Sequence, residues 1–494
     1  MLRKLSLGGS AIRCVGWSRS IATAVFVSNI QRIQSELSTA DNKRELQHTG
    51  RLLYENEELD DVVVSLKSSA AQGASSQRDA MTPDMVRSIA TVATLLRVAP
   101  SKSQPFQRTV DWALQPRVVQ TMDDMAIARL LHASLVLSEP KIFELLFTYL
   151  WRVVELAPTL SGVSCAMIIN AYGRCGIRHE ILYKSLCLRA TTALLEEGVT
   201  MGHIANVANA LSRVGVADTA VFQVISNQSI RFEKQAPPLV MATILDAFST
   251  VGIVDDSLFS VFEAHLERLI EECGAPLMAT IVGALAKAKR SESPLFAAVA
   301  SRATRIVNSY DPSSIARTLD AFYQVRHCSE EFFGLLAERA VNVSADFRPD
   351  EIHLTLRALS AFELYDAELF PLLASKLMSA MRAGGSNVPP DVVIGVLAAF
   401  ATVHERHEGL IHAVSLSMKP FLSALSAELF TTLLWAFAEL NARNDTTRAM
   451  VSEVQTHSGR LLTTDNLPSS WTPEVLAARL DTVKKVYGIT GNIW

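Results

Sequence analysis

A 37-residue beat runs through this chain and limits what it can fold into. A segment of the form apolar–x–Ala–(aromatic or Leu) recurs along it. Its alanine falls at Ala133, Ala171, Ala210, Ala247, Ala284, Ala321, Ala358, Ala399 and Ala436, at separations of 38, 39, 37, 37, 37, 37, 41 and 37 residues. Two positions earlier stand Leu131, Ile169, Ala208, Leu245, Val282, Leu319, Leu356, Leu397 and Leu434. Twelve positions later an aromatic occupies six consecutive repeats: Tyr183, Phe222, Phe259, Phe296, Phe333 and Phe370. Aromatics are only 7% of the sequence, so chance does not keep that register. A weaker copy surrounds Ala93. Self-similarity at this period marks a stacked-repeat architecture.

Each repeat divides into two helices. Helix A opens after a proline or a capping residue, as at Pro238, Pro276, Pro312-Ser313, Pro349-Asp350 and Pro390-Asp391, where a missing N–H costs nothing. It ends near Gly176, Gly215 or Gly252, or in a short polar turn. Helix B is started by Asp218, Asp255, Ser329 or Asp366, whose side chains can accept from free first-turn amides. Apolar residues follow the 3.6 period and nothing alternates with period two. One such pair cannot bury its apolar stripe alone, so neighbours must stack. The expected fold is all-α, an alpha-solenoid of about nine to ten helix-turn-helix repeats over residues 81–465, with a helical C-terminal cap over 466–494. The recurring aromatics are expected to be the glue between neighbouring repeats.

Composition narrows the class further. The chain has 494 residues, 49% of them hydrophobic, which excludes a wholly disordered protein. Its best apolar stretch, Phe143–Leu156, contains Glu144, Arg152 and Glu155, so no transmembrane helix is expected and no membrane partner is assigned. The six cysteines form no CxxC pair, which suits a reducing compartment. Residues 1–35 carry Arg3, Lys4, Arg13, Arg19 and Arg32 among serines and apolar residues, with no acid before Glu36. That is the composition of a mitochondrial transit peptide, placing the mature protein in the mitochondrial matrix. Residues 36–80 then read as a helical segment and a flexible linker. Of 46 basic and 50 acidic residues, losing those five basic ones leaves 41 against 50, a net charge of −9. Any nucleic-acid contact must therefore come from a local basic stripe.

Such a stripe is available on helix A. Counting from the marker alanine, positions −4, −1 and +3 share one face, while −2, +1 and +4 are apolar and face the core. The first face carries Met167, Asn170 and Arg174; then Asn206, Asn209 and Arg213; Thr243, Asp246 and Thr250; Thr280, Gly283 and Lys287; and Arg317, Asp320 and Gln324. Stacking aligns equivalent positions into a ladder. Asparagine can pair with a base edge, and arginine or lysine can take a phosphate. The candidate RNA-binding residues are Asn170, Arg174, Asn209, Arg213, Lys287 and Arg317. Asp246 and Asp320 oppose phosphate, and from Ala358 onward the face turns apolar (Leu354, Gly395, Ala398, Trp435), which suits a protein partner better. No metal, cofactor or catalytic residue is assigned. The cluster His404, His407 and His412 lacks the HExxH spacing, and there is no GxxxxGK[ST], no GxGxxG following a strand and no GxSxG. The chain is expected not to be an enzyme and to have no small-molecule substrate.

Thr432-Leu433-Leu434-Trp435-Ala436-Phe437-Ala438-Glu439-Leu440 and Thr243-Ile244-Leu245-Asp246-Ala247-Phe248-Ser249 resemble the first helix of repeats in organellar RNA-binding proteins. Those are the octotricopeptide, heptatricopeptide and FAST-kinase-like families, and the resemblance spans about Thr82 to Asp465. The tail, Leu467–Trp494, has neither the strands nor the acids of their nuclease-like RAP domain. In overall style the chain is also similar to helical subunits of the kinetoplastid mitochondrial RNA-editing substrate-binding complex. These resemblances imply a non-catalytic mitochondrial protein that binds single-stranded RNA (guide RNA or mRNA) or organises an RNA-processing or RNA-editing complex with other protein subunits. The alternative is a pure protein scaffold in a mitoribosome or its assembly intermediates.

Overall fold

The computed structural model describes residues 81–96, 104–327, 329–383, 388–456, 461–463, 467 and 471–488. The expected transit peptide at 1–35 and the segment at 36–80 lie outside the described residues. Among the described residues there are 22 α-helices, short 3₁₀ turns and no strand. They fall into two compact units, one ending at Ala236 and the other beginning at Pro237. Each is an alpha-solenoid of helix-turn-helix repeats.

The N-terminal unit holds α1 (Pro83–Leu96), α2 (Gln104–Ala113), α3 (Pro116–Val119), α4 (Asp124–Val136), α5 (Ile142–Leu156), α6 (Gly162–Arg174), α7 (Glu180–Ala193), α8 (Met201–Val214) and α9 (Thr219–Arg231). The A helices α1, α4, α6 and α8 pack in sequence, and the B helices α5, α7 and α9 form a second layer. The C-terminal unit repeats the plan. Its A helices are α10 (Pro238–Val251), α12 (Ala275–Lys287), α14 (Pro312–Gln324), α16 (Pro349–Ala361), α18 (Pro390–Thr402) and α20 (Ala427–Glu439), followed by α22 (Pro473–Tyr487). Its B helices are α11 (Asp256–Arg268), α13 (Leu295–Ile306), α15 (Glu330–Asn342), α17 (Leu369–Arg382), α19 (Glu408–Met418) and α21 (Asp445–Thr456). Again A packs on A and B on B, each against its neighbour.

The marker alanines explain the close A-to-A stacking. All nine are buried, none more than 3% exposed, so the small side chain is what lets adjacent backbones approach. Five positions past each of them the backbone is left-handed: Ser138, Gly176, Gly215, Gly252, Lys289, Arg326, Glu363, His404 and Asn441 all have positive φ. The next amide donates back to the carbonyl at +1, as Ile177 N–H does to Tyr172 O (3.1 Å), Ile253 to Phe248 (3.0 Å) and Ala442 to Phe437 (2.8 Å). Every A helix of the series thus ends in the same Schellman turn, which satisfies a terminal carbonyl and sets the angle into helix B.

The turn residues act as the sequence suggests, with one exception. Asp218 accepts from Val221 N–H (3.0 Å), Asp255 from Ser257 and Leu258, and Asp366 from Glu368 and Leu369. Ser329 makes no side-chain cap bond; its backbone is extended and helix α15 starts without that hydroxyl. The six aromatics twelve past the alanine are buried, and three of them meet an aromatic of the next repeat. Phe296 meets Phe322 of the next A helix edge-on at 5.2 Å, Phe333 meets Phe362 at 5.3 Å, and Phe370 meets Phe400 at 5.4 Å. Edge-to-face pairs of this kind add about 0.5–1.5 kcal/mol beyond the area they bury.

Candidate nucleic-acid interface

The A-helix face of the N-terminal unit is built from three consecutive helices in register. Helix α4 places Arg129, His132 and Val136 at −4, −1 and +3; α6 places Met167, Asn170 and Arg174; α8 places Asn206, Asn209 and Arg213, with His203 one turn earlier. None of these positions is acidic. Arg174 and Arg213 are exposed, and neither makes an ion pair among the described residues. Asn206 and Asn209 are half-buried.

Asn170 departs from the sequence expectation of an outward-facing base reader. It is 3% exposed, and its Oδ1 finds no hydrogen-bond partner. The cause is local. One turn on, Gly173 sits so close to α8 that a Cβ there would lie 2.5 Å from the Cβ of Ala210. Helices in such contact close over the residue between them.

Three residues that sequence reasoning passed over share this surface. Arg129 is half-buried, and burial lowers its pKa. Burial, then the charges of Arg129, His203 and Arg174, push the His132 imidazole down to about 4. Burial and Arg129 also lower His203. His203 Nδ1 accepts from Thr200 N–H (3.1 Å), which puts its proton on Nε2. Arg129, Arg174 and His203 thus each act on His132, and Arg129 acts on His203 as well. The signal existed in the sequence, since Arg129 and His132 hold positions −4 and −1 before Ala133, one repeat ahead of Asn170.

The equivalent face of the C-terminal unit is neutralised. Lys287 Nζ lies 2.9 Å from Asp246 Oδ1 and 3.2 Å from Thr250 Oγ1, so this expected phosphate ligand is committed to the preceding repeat. Arg357 pairs with Asp320, which also accepts from Gln324 (2.8 Å). Arg317 is exposed and makes no ion pair among the described residues. At the apolar end of the face Leu354, Gly395 and Ala398 are half-buried, and Trp435 is covered. His353 lies against the Cα of Gly395, where a Cβ would come within 2.2 Å of Nε2. Trp435 is buried under Arg479 of α22, whose guanidinium is 4.0 Å from its ring centre and 4.2 Å from that of Trp471.

Elsewhere the described residues show little reactive chemistry. No group of three or more His, Cys, Asp or Glu could hold a metal among them. His404 pairs with Glu439 (3.0 Å), and His407 Nδ1 caps α19 by accepting from Leu410 N–H (3.0 Å). A cavity of about 540 Å³ between α21 and α22, lined by Arg443, Thr447, Arg448 and Tyr487, includes no carboxylate or thiol in its wall. None of the described helices is long and apolar enough to cross a membrane. On the B-helix side, α5 exposes Phe143, Phe147 and Trp151 in one i, i+4, i+8 stripe.

Helical pairs stacked A on A and B on B define an alpha-solenoid. Residues 79–445 match the family described as RESC6, RNA-editing substrate-binding complex 6 protein. The chain belongs to that family. No curated protein matches it. A chain of a "homology model of the full-length AP-3 complex in an intermediate open conformation" aligns over 96% of this chain and 97% of its own length, at 12% identity and a TM-score of 0.29. A likeness that slight carries no argument.

Proposed function

We propose that this chain is a non-catalytic subunit of the RNA-editing substrate-binding complex that contacts single-stranded RNA (guide RNA or mRNA) through the A-helix face of its N-terminal unit. Family membership supports the assignment to the complex, whose other subunits are then its protein partners. Editing-complex membership and the basic, acid-free residues 1–35 together support a transit peptide and work in the mitochondrial matrix. The observation that carries the RNA contact is the alignment of Arg129, Arg174 and Arg213 on three successive helices with no acid at equivalent positions. Exposed arginines position a phosphate backbone, and Asn206 and Asn209 between them offer both a donor and an acceptor to base edges. Of the six residues singled out by sequence, Arg174, Asn209 and Arg213 form the core of this interface.

The test is fluorescence anisotropy of a single-stranded RNA with the purified full chain across a salt series. Submicromolar binding that weakens as salt rises is expected, and Arg174→Glu with Arg213→Glu should remove most of it. Absent or salt-insensitive binding rejects direct contact. The exposed stripe Phe143, Phe147 and Trp151 favours a second reading, a pure protein scaffold. In that case a stoichiometric protein partner survives nuclease treatment while the chain alone ignores RNA.

A further inference from the structure

We propose that the cavity at the end of the stack, between α21 and α22, binds a nucleotide, with its phosphate on Arg443 and Arg448 and its base against Val486 and Tyr487. The site belongs to the C-terminal unit and does not depend on the RNA contact assigned to the N-terminal one.

The repeat plan shows why a cavity opens here and what its wall replaces. In the preceding repeats one face of helix B packs on the next repeat. That face carries Phe370, Leu373, Ala374 and Leu377 in α17 and Ile411, Val414, Ser415 and Met418 in α19, all buried. The residues at the same places in α21 are Arg448, Val451, Ser452 and Gln455, and all four line the cavity. Arg448 stands twelve past Ala436, where six earlier repeats carry their joining aromatic. Arg448, Ser452 and Gln455 are exposed, because no helix among the described residues follows α22 to cover them.

Any solenoid end needs a polar outer face, and neutral or mixed charges would supply it. This wall instead holds two arginines and, among the described residues, no carboxylate. One repeat earlier the counterpart of Arg443 is Arg406, which is committed to Glu408 (2.6 Å) and to the carbonyls of Leu440 and Asn441 in the next repeat. Arg443 is exposed and makes no ion pair among the described residues. Arg448 meets Asp445 on its own helix, but the two side chains are 78% and 74% exposed and Asp445 is not in the wall. So exposed a pair is weak and leaves the guanidinium available to an anion. Size then selects the ligand. About 540 Å³ is far more than a bare phosphate fills and is typical of a small-molecule site. Val451 and Val486 are apolar, and the Tyr487 ring is fixed by its hydroxyl, which donates to Ala442 O (2.9 Å). Guanidiniums for a phosphate, a ring and two valines for a planar base, and the Gln455 amide for its edge are what a nucleotide requires.

The experiment is isothermal titration of the full chain with adenosine 5′-monophosphate, adenosine and inorganic phosphate in turn. The nucleotide is expected to bind one to one with a Kd of about 0.1 mM or tighter, and each fragment at least about tenfold more weakly. Arg443→Gln should weaken nucleotide binding about tenfold. Its melting temperature should hold, since that side chain has no ion pair to lose among the described residues. Gln455→Glu, which brings a carboxylate into the wall, should cost a similar factor and is the second variant. Absent binding, phosphate bound as tightly as the nucleotide, or an unchanged affinity in Arg443→Gln each overturns the proposal and leaves the RNA reading standing. The same titration on Arg174→Glu with Arg213→Glu keeps the two apart. An unchanged nucleotide affinity there supports the end cavity, and a matching loss moves the nucleotide to the N-terminal face and overturns it. A short single-stranded RNA added to that double variant separates the sources: competition marks one residue of an RNA chain, and its absence marks a free nucleotide.

Discussion

In the C-terminal unit the acids at position −1 of the A-helix face, Asp246 and Asp320, are each answered by a cation one repeat further on, Lys287 and Arg357. In the N-terminal unit the same helix face carries Arg129, Arg174 and Arg213, and its −4, −1 and +3 positions hold no acid. One backbone plan thus serves two electrostatic purposes. Partly exposed pairs such as Lys287–Asp246 add at most about 1 kcal/mol of stability, so what they change most is surface charge. Pairing cations with acids erases a field that could draw in RNA, and leaving them unpaired preserves it. Covering goes the same way. The C-terminal unit lays α22 over Trp435, while α6 and α8 of the N-terminal unit leave Arg174 and Arg213 in solvent.

The largest expected effect breaks or upholds this contrast directly. Arg174→Glu with Arg213→Glu should weaken single-stranded RNA binding by about a hundredfold at low salt. The matching reversal in the other unit, Lys287→Glu with Arg317→Glu, should cost less than about threefold, because Lys287 is already spent on Asp246. Equal losses from the two double variants, read by anisotropy, would erase the distinction between the units.

Second in size is the substitution Gly395→Ala. Its new Cβ would sit 2.2 Å from His353 Nε2, so the imidazole must leave its place against α18. Overpacking of this kind costs about 1–3 kcal/mol, seen as a lower melting temperature with RNA affinity unchanged. A loss of RNA binding here would instead give the C-terminal face a share in the interface.

Acid should weaken both units next. His132 and His353 are each held down to about 4 against an ordinary 6.5, by burial first and then by Arg129 and Arg357 respectively. The unfolded chain therefore takes up protons that the folded one refuses. Stability is complete above about 6.5 and drains as pH falls towards 4. By pH 5 each histidine removes about 1–2 kcal/mol. Asp391 and Asp320 oppose the shift at His353, whereas nothing acidic opposes it at His132. Both shifts end at about the same value, so His132→Gln and His353→Gln should flatten the acid limb of thermal stability to a similar extent.

Much of this was legible in the sequence, because the repeat register assigns every residue a side of its helix. The register located the buried alanines, the joining aromatics and the face bearing Arg174, Asn209 and Arg213. It also contains the Asp246–Lys287 pair, which only a comparison of position −1 with +3 of the following repeat brings out. Asn170 was misjudged because its exposure depends on how closely α8 approaches Gly173, a distance between helices that no local pattern encodes. The apolar look of Leu354, Ala398 and Trp435 suggested an open partner surface. Arg479, 44 residues beyond Trp435, covers the tryptophan instead.

The smallest expected effect lies in the turn that both units share. Three of its nine left-handed positions are glycine, and the sequence marks them; the other six are Ser138, Lys289, Arg326, Glu363, His404 and Asn441. There the backbone is imposed by the following amide's bond to the +1 carbonyl, as in Leu364 N–H to Leu359 O at 3.0 Å. A side chain with a Cβ in this conformation costs about 1 kcal/mol or more, partly offset because glycine loses more freedom on folding. Glu363→Gly should therefore raise stability by about 0.5–1 kcal/mol, and Gly252→Ala should lower it by a similar amount, both read by thermal melting. If Glu363→Gly destabilises instead, the glutamate side chain contributes something beyond the turn. The uniform geometry would then rest on different side-chain contacts in different repeats, and the two units would differ in their joints as well as in their charge.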